Sequence, residues 1–382
     1  IEKKDESEEK LAVRPTSETI ICDSFAKWIR SWRDLPLRSN QWCNIVRWET
    51  EATKLFLRSR EFLWQEGHCV YETEADADVE TELMLKEYVH LAEDLLAVPL
   101  IYGKKSEKER FKGAKYTMTI EAFMPDGKAV QAGTSHQLGQ GFMKAFGVSF
   151  QDKDGNNQVP WHTSWGISTR LIGTCVMLHS DDKGLVLPPK VAPNKVVIIP
   201  IIFDESRDKV MKQCDKIKEI LAEYDPILDD RDEHTPGFKY NYWELRGMPL
   251  RIEVGPKDIE SKQAVLVRRD TGEKQFIKVA DIKEATAEQL ELMHKTLYEK
   301  AKEHLEESTV EVKTWEDFEK AIEERKLILT THCGEAGCEE DIKEKTGASS
   351  RCIPLGSGKP KGARCVHCKK EAQYEIYFSK SY

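Results

Sequence analysis

The sequence has no run of eighteen apolar residues, so a helix that crosses a membrane is not expected. Its first ten residues, IEKKDESEEK, are charged and lack the apolar core of a secretory signal peptide. The net charge of −9 excludes a protein that is basic throughout, although a local basic patch for nucleic acid stays possible. With 382 residues, 40% of them hydrophobic and 33% charged, the chain is predicted to be globular, with two or three domains.

The sequence also lacks the regular cysteine spacing of a disulfide framework. Of its ten cysteines, five lie within the last fifty residues. This distribution is typical of a protein from a reducing compartment with one local metal site, and it predicts a cytoplasmic location. Since the sequence begins at Ile1, we expect further sequence upstream. The scattered cysteines are Cys22, Cys43, Cys69, Cys175 and Cys214.

The C-terminal cysteines have the spacing of a zinc site. Cys333 and Cys338 are separated by four residues, and Cys365 and Cys368 by two. Two close pairs of thiolates suit tetrahedral Zn²⁺ with no open position, which predicts a structural site. Four free thiols are the alternative. The spare potential ligands nearby are Cys352 and His367.

Hydrophobic periodicity divides the first half of the chain into helices and strands. Apolar residues recur every three or four positions between 17 and 32, which predicts a helix with one buried face. Aromatic and β-branched residues predict two strands and a loop within 41–71. Glycine-marked turns between short apolar runs predict an antiparallel sheet within 116–185. The predicted buried face of the first helix consists of Ile21, Phe25, Trp28 and Trp32.

Two threonines have the position of a helix N-cap. Thr73 with Asp76 resembles an acidic capping box ahead of a long helix, and Thr314 with Asp317 resembles another ahead of a helix near 315–326. The apolar stripe of the first of these helices is predicted at Val79, Leu83, Leu91 and Leu95.

After three prolines at 188, 189 and 193, strands and helices alternate. VVIIPII (196–202) is predicted to be a buried strand, followed by a helix at 208–223 and strands near 250–254 and 264–267. This order predicts a small α/β domain. A further helical stripe follows at Leu290, Met293, Leu297 and Ala301.

The most informative region for function is 41–68. If Arg47 and Glu49 lie on one strand, and Arg58 and Arg60 on the next, each pair shares a face of the sheet. Inward arginines are costly in a core but suit a polyphosphate, because the guanidinium fork matches phosphate oxygens. Surface ion pairs between arginine and glutamate are the alternative.

Several strings together resemble the class II prolyl-tRNA synthetases of the eukaryotic and archaeal type. The second class II signature is similar to RWE (47–49) followed by FLRSREFLWQEGH (56–68). The resemblance runs to the C-terminus, including the paired cysteines and a final Ser-Tyr. The other matching strings are RPTSE (14–18), QAGTSHQLGQ (131–140), SWGISTRLIG (164–173), GLVLPP (184–189) and GMPLRIEVGPKD (247–258).

The resemblance implies a multidomain fold of α/β and α+β domains. A class II catalytic domain with an antiparallel sheet is expected over 1–190, and an α/β anticodon-binding domain over 191–288. A small α+β zinc-binding domain is expected over 289–382, with the terminal tyrosine near the catalytic domain. The first class II motif, which forms part of the dimer interface in the family, is expected upstream of the sequence. About a hundred residues separate the second and third motifs, so no editing domain is expected between them.

The resemblance also implies an enzyme that activates L-proline with ATP and Mg²⁺ and transfers it to tRNA(Pro), as a homodimer. Arg47 and Arg58 would grip the ATP phosphates, Arg170 the terminal phosphate, and Phe62 would stack under adenine. Magnesium on ATP would lie near Glu49 or Gln131. Further ATP contacts are implied for Gln131, Thr134 and Ser168. The implied proline pocket consists of Thr16, Glu18, Arg47, Trp64, Glu66, Phe111 and His136, with Glu18 facing the secondary ammonium.

Each of these residues has a structural alternative. Taken alone, His136 is more often a hydrogen-bonded structural histidine, and Trp64 and Phe111 are more often core residues. Thr16 and Glu18 could simply begin the following helix. For anticodon recognition in the middle domain, basic candidates are Lys239, Arg246, Arg268 and Arg269, with a solvated charged face as the alternative.

Two other functions compete with this one. A tRNA-binding paralogue without catalysis would not need phosphate-gripping arginines. A threonine-specific relative would usually carry a catalytic zinc held by one cysteine and two histidines, and no such set is apparent. A pocket sized for proline rejects alanine only weakly, so activation of cysteine or alanine is also expected.

Overall fold

The computed structural model describes residues 12–50 and 52–382. The charged run at 1–10 lies outside this part. The chain divides into two compact units. The first unit contains the residues up to His90, Leu100–Thr174 and Leu305–Tyr382, and the second contains Leu91–Pro99 and Cys175–His304. Within the described ranges, no helix is both long and apolar enough to span a bilayer.

A seven-stranded sheet forms the centre of the first unit. Its strands are β1 (Leu37–Val46), β2 (Glu61–Tyr71), β3 (Ile101–Lys104), β4 (Tyr116–Phe123), β5 (Ala129–Gly139), β8 (Trp161–Ser168) and β17 (Ile353–Pro354). They lie in the order β1-β2-β8-β5-β4-β3-β17, and all neighbours are antiparallel. This confirms the predicted antiparallel sheet. A separate ribbon pairs β6 (Phe150–Gln151) with β7 (Asn157–Gln158).

Three helices of the first unit are α1 (Glu18–Trp28), α2 (Glu74–His90) and α3 (Gly141–Ala145), and a fourth helix, α4 (Arg170–His179), begins in the first unit and continues into the second at Cys175. The predicted cap of α2 is confirmed, since the Asp76 amide donates to the Thr73 hydroxyl over 3.2 Å. The predicted buried face of α1 is wrong at Trp28, which is 59% exposed. Phe25 of the predicted face is buried, together with Cys22, whereas Trp32 lies beyond the end of the helix.

The predicted apolar stripe of α2 is also wrong. Val79 is 67% exposed and Leu83 41%, while Leu91 and Leu95 lie beyond the end of the helix. The helix buries a different face, which includes polar side chains that have partners. Glu80 forms an ion pair with Arg38 at 3.2 Å, and the Thr81 hydroxyl donates to the Ala77 carbonyl. A count of apolar residues cannot detect such paired polar groups.

The second unit contains a five-stranded sheet with β9 (Val196–Pro200), β10 (Ile227–Leu228), β11 (Leu250–Val254), β12 (Gln263–Arg268) and β13 (Lys274–Lys278). The order is β10-β9-β11-β12-β13, parallel in the first three strands and antiparallel in the rest. The predicted helical face of Val210, Cys214, Ile217 and Leu221 is buried in its core. The helices are α5 (Arg207–Ile220), α6 (Pro236–Leu245), α7 (Pro256–Glu260) and α8 (Ile282–Ser308), the last of which continues into the first unit at Leu305.

The C-terminal part of the first unit forms a four-stranded sheet in the order β14 (Thr309–Glu311), β15 (Leu327–His332), β18 (Tyr374–Ser379) and β16 (Ser349–Ser350). It packs with α9 (Trp315–Glu323) and α10 (Ala336–Thr346) around Phe318, Ile342 and Phe378. The predicted cap of α9 is confirmed by a 3.1 Å hydrogen bond from the Asp317 amide to Thr314.

This C-terminal part is joined to the seven-stranded sheet by β17, which pairs with β3. Beside this strand, the Arg351 guanidinium binds the buried carboxylate of Glu121 on β4, at 2.6 and 3.1 Å. Lys105 binds the same carboxylate at 2.7 Å. Burial alone would raise the pKa of Glu121, but these two cations lower it below its usual range. The predicted domain boundaries at 190 and 288 stay a prediction.

Candidate active site

A cavity of about 290 Å³ lies in the first unit, on the side of the seven-stranded sheet formed by β2, β5 and β8. Every residue predicted for the ATP and proline sites lines this cavity, except Glu66. They come from five separate stretches of the chain, so the sheet brings together positions that are far apart in sequence. The predicted residues that line the cavity are Thr16, Glu18, Arg47, Glu49, Arg58, Phe62, Trp64, Phe111, Gln131, Thr134, His136, Ser168 and Arg170.

Three arginines converge on the cavity, but they are not arranged as paired strands. Arg47 and Glu49 follow the end of β1, and Arg58 and Arg60 precede β2, so the prediction that each pair shares a strand face is wrong. The loop between β1 and β2 is closed instead by main-chain hydrogen bonds, including one from the Arg47 amide to the Arg60 carbonyl at 2.7 Å. Within it, Arg58 forms an ion pair with Glu49 at 3.1 Å.

Arg47 and Arg170 are held by main-chain oxygens. Arg47 Nε donates to the Pro15 carbonyl at 3.0 Å. Arg170, at the start of α4, donates to the carbonyls of Leu57 and Gln131 at 2.8 and 3.3 Å. Across residues 12–50 and 52–382, neither of them forms an ion pair with a carboxylate. Carbonyl oxygens fix the direction of a guanidinium without neutralising its charge, so both stay available for an anion.

The electrostatics of this cluster are those of an anion site. Burial lowers the pKa of Arg170, and the positive charges of Arg58 and Arg47 lower it further. The negative charge of Glu121, on β4, acts in the opposite direction. An arginine stays protonated in proteins, so the cluster keeps mutually repelling positive charges in a partly dry space. A bound polyphosphate would relieve this repulsion.

Two aromatic rings of β2 stand beside the arginines. Phe62 and Trp64 are two positions apart on the strand and meet edge to face, with ring centroids 5.8 Å apart. The Arg47 guanidinium lies 5.5 Å from the Phe62 ring centroid and 5.9 Å from that of Trp64. The Trp64 indole N–H donates to Cys43 Sγ at 3.2 Å, which fixes the ring. These rings give the cavity an apolar wall that suits a base or a small ring.

Glu66 lies behind this wall and not in it. Its side chain is 2% exposed and accepts hydrogen bonds from Ser17, from Gln41 at 2.6 Å and from His68 at 3.1 Å. Burial would raise the pKa of Glu66, but the bonds from His68 and Ser17 lower it below its usual value. Since Ser17 lies between Thr16 and Glu18, the Glu66 carboxylate anchors the segment that carries these two cavity residues.

The opposite end of the cavity is formed by His136, Phe111 and Thr117. The His136 and Phe111 ring centroids are 5.0 Å apart, and His136 Nδ1 lies 2.9 Å from the Thr117 hydroxyl. That hydroxyl also accepts from the Phe111 amide at 3.0 Å. Burial, together with the charge of His68, lowers the pKa of His136 to about 3. The imidazole is therefore neutral at physiological pH and acts as a polar wall, not as a charge.

Several residues of the cavity were not predicted from the sequence. For two of them, Gly133 and Gly166, the sequence offers a signal, because a glycine within a strand marks a position where another group approaches the backbone closely. A Cβ at Gly133 would approach Ile167 to 2.8 Å, and one at Gly166 would approach the Gln65 carbonyl to 3.2 Å. Thr117 carries no such signal. The lining residues without a predicted role are Phe56, Leu57, Ser59, Glu109, Thr117, Ala132, Gly133, Gly166 and Ile167.

Four of the C-terminal cysteines lie close together; Cys333, Cys338 and Cys365 are buried, and Cys368 is half-buried. The sulfurs of Cys333 and Cys368 are 3.5 Å apart, and those of Cys338 and Cys365 are 3.7 Å apart. Zn–S bonds of about 2.3 Å at tetrahedral angles would place sulfurs about 3.8 Å apart, and these two distances are close to that value. His332 also lies here, with ligand atoms of His332, Cys333, Cys338 and Cys365 all within 4.8 Å. Its Nδ1 accepts from the Gly334 amide, while its Nε2 is buried and has no hydrogen-bond partner among the described residues, so His332 is a further potential ligand.

The basic residues predicted for anticodon recognition are mostly not on a surface. Lys239, Arg268 and Arg269 are 3%, 4% and 7% exposed, so that prediction is wrong for them. Lys239 donates to the Asp229 carbonyl, Arg268 pairs with Asp270, and Arg269 binds both oxygens of Asp181. All three cations are therefore held within the second unit; the carboxylates of Asp229 and Asp270 are buried, and that of Asp181 is 43% exposed. Only the fourth candidate, Arg246, is exposed.

Comparison with known proteins agrees with this geometry. Residues 2–179 match the class II tRNA synthetase core domain (G, H, P, S and T), residues 195–289 the anticodon-binding domain, and residues 315–382 the prolyl-tRNA synthetase C-terminal domain. Proline–tRNA ligase 2 of Clostridioides difficile (strain 630) is 50% identical, over 98% of this chain and 78% of that protein. The proline–tRNA ligase of Alkaliphilus oremlandii (strain OhILAs) is 48% identical, over 99% and 78%.

Among solved structures, the prolyl-tRNA synthetase of Cryptosporidium parvum, complexed with L-proline and AMP, superposes with a TM-score of 0.93. It is 45% identical, and the match covers 97% of this chain and 78% of that one. The cavity, the order of the domains and the identity over nearly the whole chain agree. This chain belongs to the class II prolyl-tRNA synthetase family.

Proposed function

We propose that this chain activates L-proline with ATP to prolyl-adenylate, in the 290 Å³ cavity, and transfers the prolyl group to the 3′ end of tRNA(Pro). The observation that carries the proposal is the convergence of three guanidiniums beside a small aromatic-walled space. Relatives named proline–tRNA ligase, and a structural neighbour complexed with proline and AMP, support this substrate pair.

The arginine end of the cavity is the proposed ATP site. Arg47 and Arg58 bind the inner phosphates and Arg170 the terminal one, because guanidinium forks match phosphate oxygens. Phe62 stacks under adenine. Gln131, Thr134 and Ser168 supply further polar contacts. Glu49 or Gln131 is nearest to the Mg²⁺ that accompanies ATP, and Glu49 forms an ion pair with Arg58.

The other end is the proposed proline pocket. Glu18 faces the secondary ammonium of proline, and Thr16 donates to the Glu18 carboxylate, which holds it in place. Trp64 and Phe111 enclose the ring, and the neutral His136 closes the wall. Glu66 acts indirectly, by fixing the segment that carries Thr16 and Glu18.

The chemistry in this cavity requires no protein nucleophile. The carboxylate of proline attacks the α-phosphate of ATP in line, and pyrophosphate leaves. The terminal ribose hydroxyl of tRNA then attacks the carbonyl of the adenylate, and AMP leaves. Both steps need reactants held in position and positive charge on phosphate oxygens, which the preorganised arginines supply. The absence of a Ser-His-Asp constellation among the cavity residues that the structure describes is consistent with this mechanism.

The cluster of Cys333, Cys338, Cys365 and Cys368 is the proposed holder of a structural zinc ion. Zinc bound there would cross-link the loops around α10, with no position open for a substrate. Metal analysis tests it. We expect about one zinc per chain, lost in a Cys365→Ser variant together with stability of the C-terminal sheet. Zinc-free protein of unchanged melting temperature would favour four free thiols.

Four finer points complete the proposal. The family resemblance favours a homodimer, and a role in translation favours a cytoplasmic location. The eukaryotic and archaeal subtype is proposed from the signature strings. The domain limits of 1–190, 191–288 and 289–382 are proposed from the changes in pattern along the sequence.

The decisive test is ATP–pyrophosphate exchange with each of the twenty amino acids, without tRNA. We expect exchange with proline, and weakly with cysteine and alanine. Exchange with threonine alone would make the chain a threonine-specific relative. No exchange with any amino acid would make it a tRNA-binding paralogue that has lost catalysis.

A further inference from the structure

Two buried histidines extend the hydrogen-bond network of Glu66 away from the cavity. His68 lies on β2 and His162 on β8, and they are 1% and 0% exposed. His68 Nε2 lies 3.1 Å from a carboxylate oxygen of Glu66, and His68 Nδ1 lies 3.3 Å from His162 Nε2. Neither ring is among the residues that line the cavity, so neither is placed to contact a substrate there.

The contact between the two rings sets the orientation of His68. Burial lowers the pKa of His162 well below its usual value, and the charge of His68 lowers it further, so His162 is neutral. His68 Nε2 faces a carboxylate, which only accepts, so this nitrogen carries a proton and donates to Glu66. The direction of that bond depends on how the ring is held at its other nitrogen, where His162 lies.

His162 is itself fixed by two helices. Its Nδ1 lies 3.9 Å from Cys22 Sγ on α1. The Phe25 ring of α1 and the Phe142 ring of α3 meet the imidazole edge to face, with centroids 5.8 and 6.4 Å away. Because a protein interior is packed as densely as an organic crystal, this ring has little freedom to turn. The network therefore starts from a rigid point.

The near end of the network is the serine that precedes α1. Ser17 occupies the N-cap position, where a serine hydroxyl ordinarily accepts from an amide of the first turn. Here the hydroxyl makes no such bond and donates to Glu66 instead. The helix thereby forgoes about 1 kcal/mol of capping, so its own stability does not explain this bond. The bond holds the chain between Thr16 and Glu18, which both line the cavity.

We propose that His162 and His68 are positioning residues for proline, which act through Glu66 and Ser17 on the Glu18 carboxylate; the inference rests on the proposed function. Residues 12–17 form neither helix nor strand, so this segment lacks a main-chain ladder and depends on individual contacts such as the bond from Ser17. A displacement of about 1 Å in an enzyme site can lower the rate about 10²-fold. A looser Ser17 would therefore weaken the hold on the secondary ammonium of proline.

The effect should fall on proline more than on ATP. Both neighbours of Ser17 in the sequence, Thr16 and Glu18, are assigned to the proline pocket. Of the arginines proposed to bind phosphates, Arg47 meets the same segment, through one hydrogen bond to the Pro15 carbonyl. Loss of the network is therefore expected to change the KM for proline strongly and the KM for ATP little.

Replacement of His162 tests the proposal. His162→Leu removes both ring nitrogens at nearly constant volume, and we expect the KM for proline in pyrophosphate exchange to rise about 10- to 100-fold. His162→Gln keeps a polar group that reaches His68 and should have a KM close to that of wild type. His294→Leu is the matched control, because His294 is 5% exposed on α8 of the second unit and lies outside the network. It should leave both KM values unchanged.

A double-mutant cycle shows whether His162 acts through Ser17. Ser17→Ala removes the bond to Glu66 and should itself raise the KM for proline. His162→Leu added to Ser17→Ala should then have little further effect, because both changes act on the same segment. If His162→Leu does not fold, His162→Asn replaces it, since its shorter side chain does not reach His68. Multiplied effects in the cycle, an unchanged KM for proline, or an equal rise in the KM for ATP would each overturn the proposal.

Amide hydrogen exchange separates this inference from the proposed function. In His162→Leu the main-chain amides of residues 16–22 should exchange faster than in wild type, because the start of α1 is held less firmly, whereas His294→Leu should not change them. Unchanged exchange in this segment would overturn the proposal. The measurement needs no substrate, so a wild-type protein without pyrophosphate exchange would count against the proposed function alone.

Discussion

The arginines of the two units differ in what holds them. In the first unit, Arg47 and Arg170 line a cavity and donate to main-chain carbonyls. In the second, Arg251, Arg268 and Arg269 are at most 9% exposed, and each pairs with at least one carboxylate. A guanidinium that meets only carbonyls keeps its charge available for a ligand, whereas one that is paired in the interior belongs to the fold. The partners of an arginine, more than its place in the sequence, therefore indicate its role.

The largest expected effect is that of Arg268→Met, which tests whether a carboxylate-paired arginine of the second unit stabilises the fold. Arg268 donates to both oxygens of Asp270, at 3.0 and 2.6 Å, so its loss leaves a buried carboxylate without its partner. We expect the free energy of unfolding to fall by about 3–5 kcal/mol, measured by urea denaturation. The double variant Arg268→Met with Asp270→Leu should recover much of it. Unchanged stability with weakened tRNA binding would show that Arg268 contacts RNA after all.

The second is Arg170→Ala. Loss of a preorganised charge on the phosphates should slow proline-dependent pyrophosphate exchange by about 10²–10³-fold. Stability and tRNA affinity should be nearly intact, because Arg170 forms no ion pair with a described carboxylate. Arg170→Lys keeps the charge without the fork and should fall between the two. Lost tRNA binding with normal exchange would contradict the assigned role.

The third and smallest effect concerns Asp181, which binds Arg269 at 2.8 and 2.6 Å. The hydrogen bonds from Arg269 lower its pKa to about 2. A carboxylate with a lowered pKa stabilises the folded state above the unfolded value of about 3.9, and this stability is lost as the pH falls toward 2. Asp181→Asn should therefore reduce stability at pH 6 slightly, since the side chain is 43% exposed and screened by water. The difference from wild type should vanish near pH 2. A constant difference down to that pH would exclude the ion pair as its cause.

Local patterns predicted the elements of this chain better than their orientation. The caps at Thr73 and Thr314 could be recognised, because a cap depends on residues within one turn. The buried face of α2 could not, since Glu80 is ion-paired with Arg38 of a distant strand. The strand β17 could not be predicted either, because its residue Pro354 pairs with Gly103, which is very distant in the sequence.

The candidate site shows the same limit. The resemblance predicted thirteen residues that line the cavity, but not that Glu66 lies behind its wall. The strand-face argument for the arginines failed, since both pairs lie in the loop that connects β1 and β2. Geometry of this kind depends on how the loop closes, which a period of two residues cannot indicate.

The most direct test of the whole account is a crystal structure of this chain with proline and a non-hydrolysable ATP analogue. We predict the triphosphate within hydrogen-bond distance of the guanidiniums of Arg47, Arg58 and Arg170, with the proline ring between Trp64 and Phe111. Nucleotide bound elsewhere, or these three side chains turned away from it, would contradict the account.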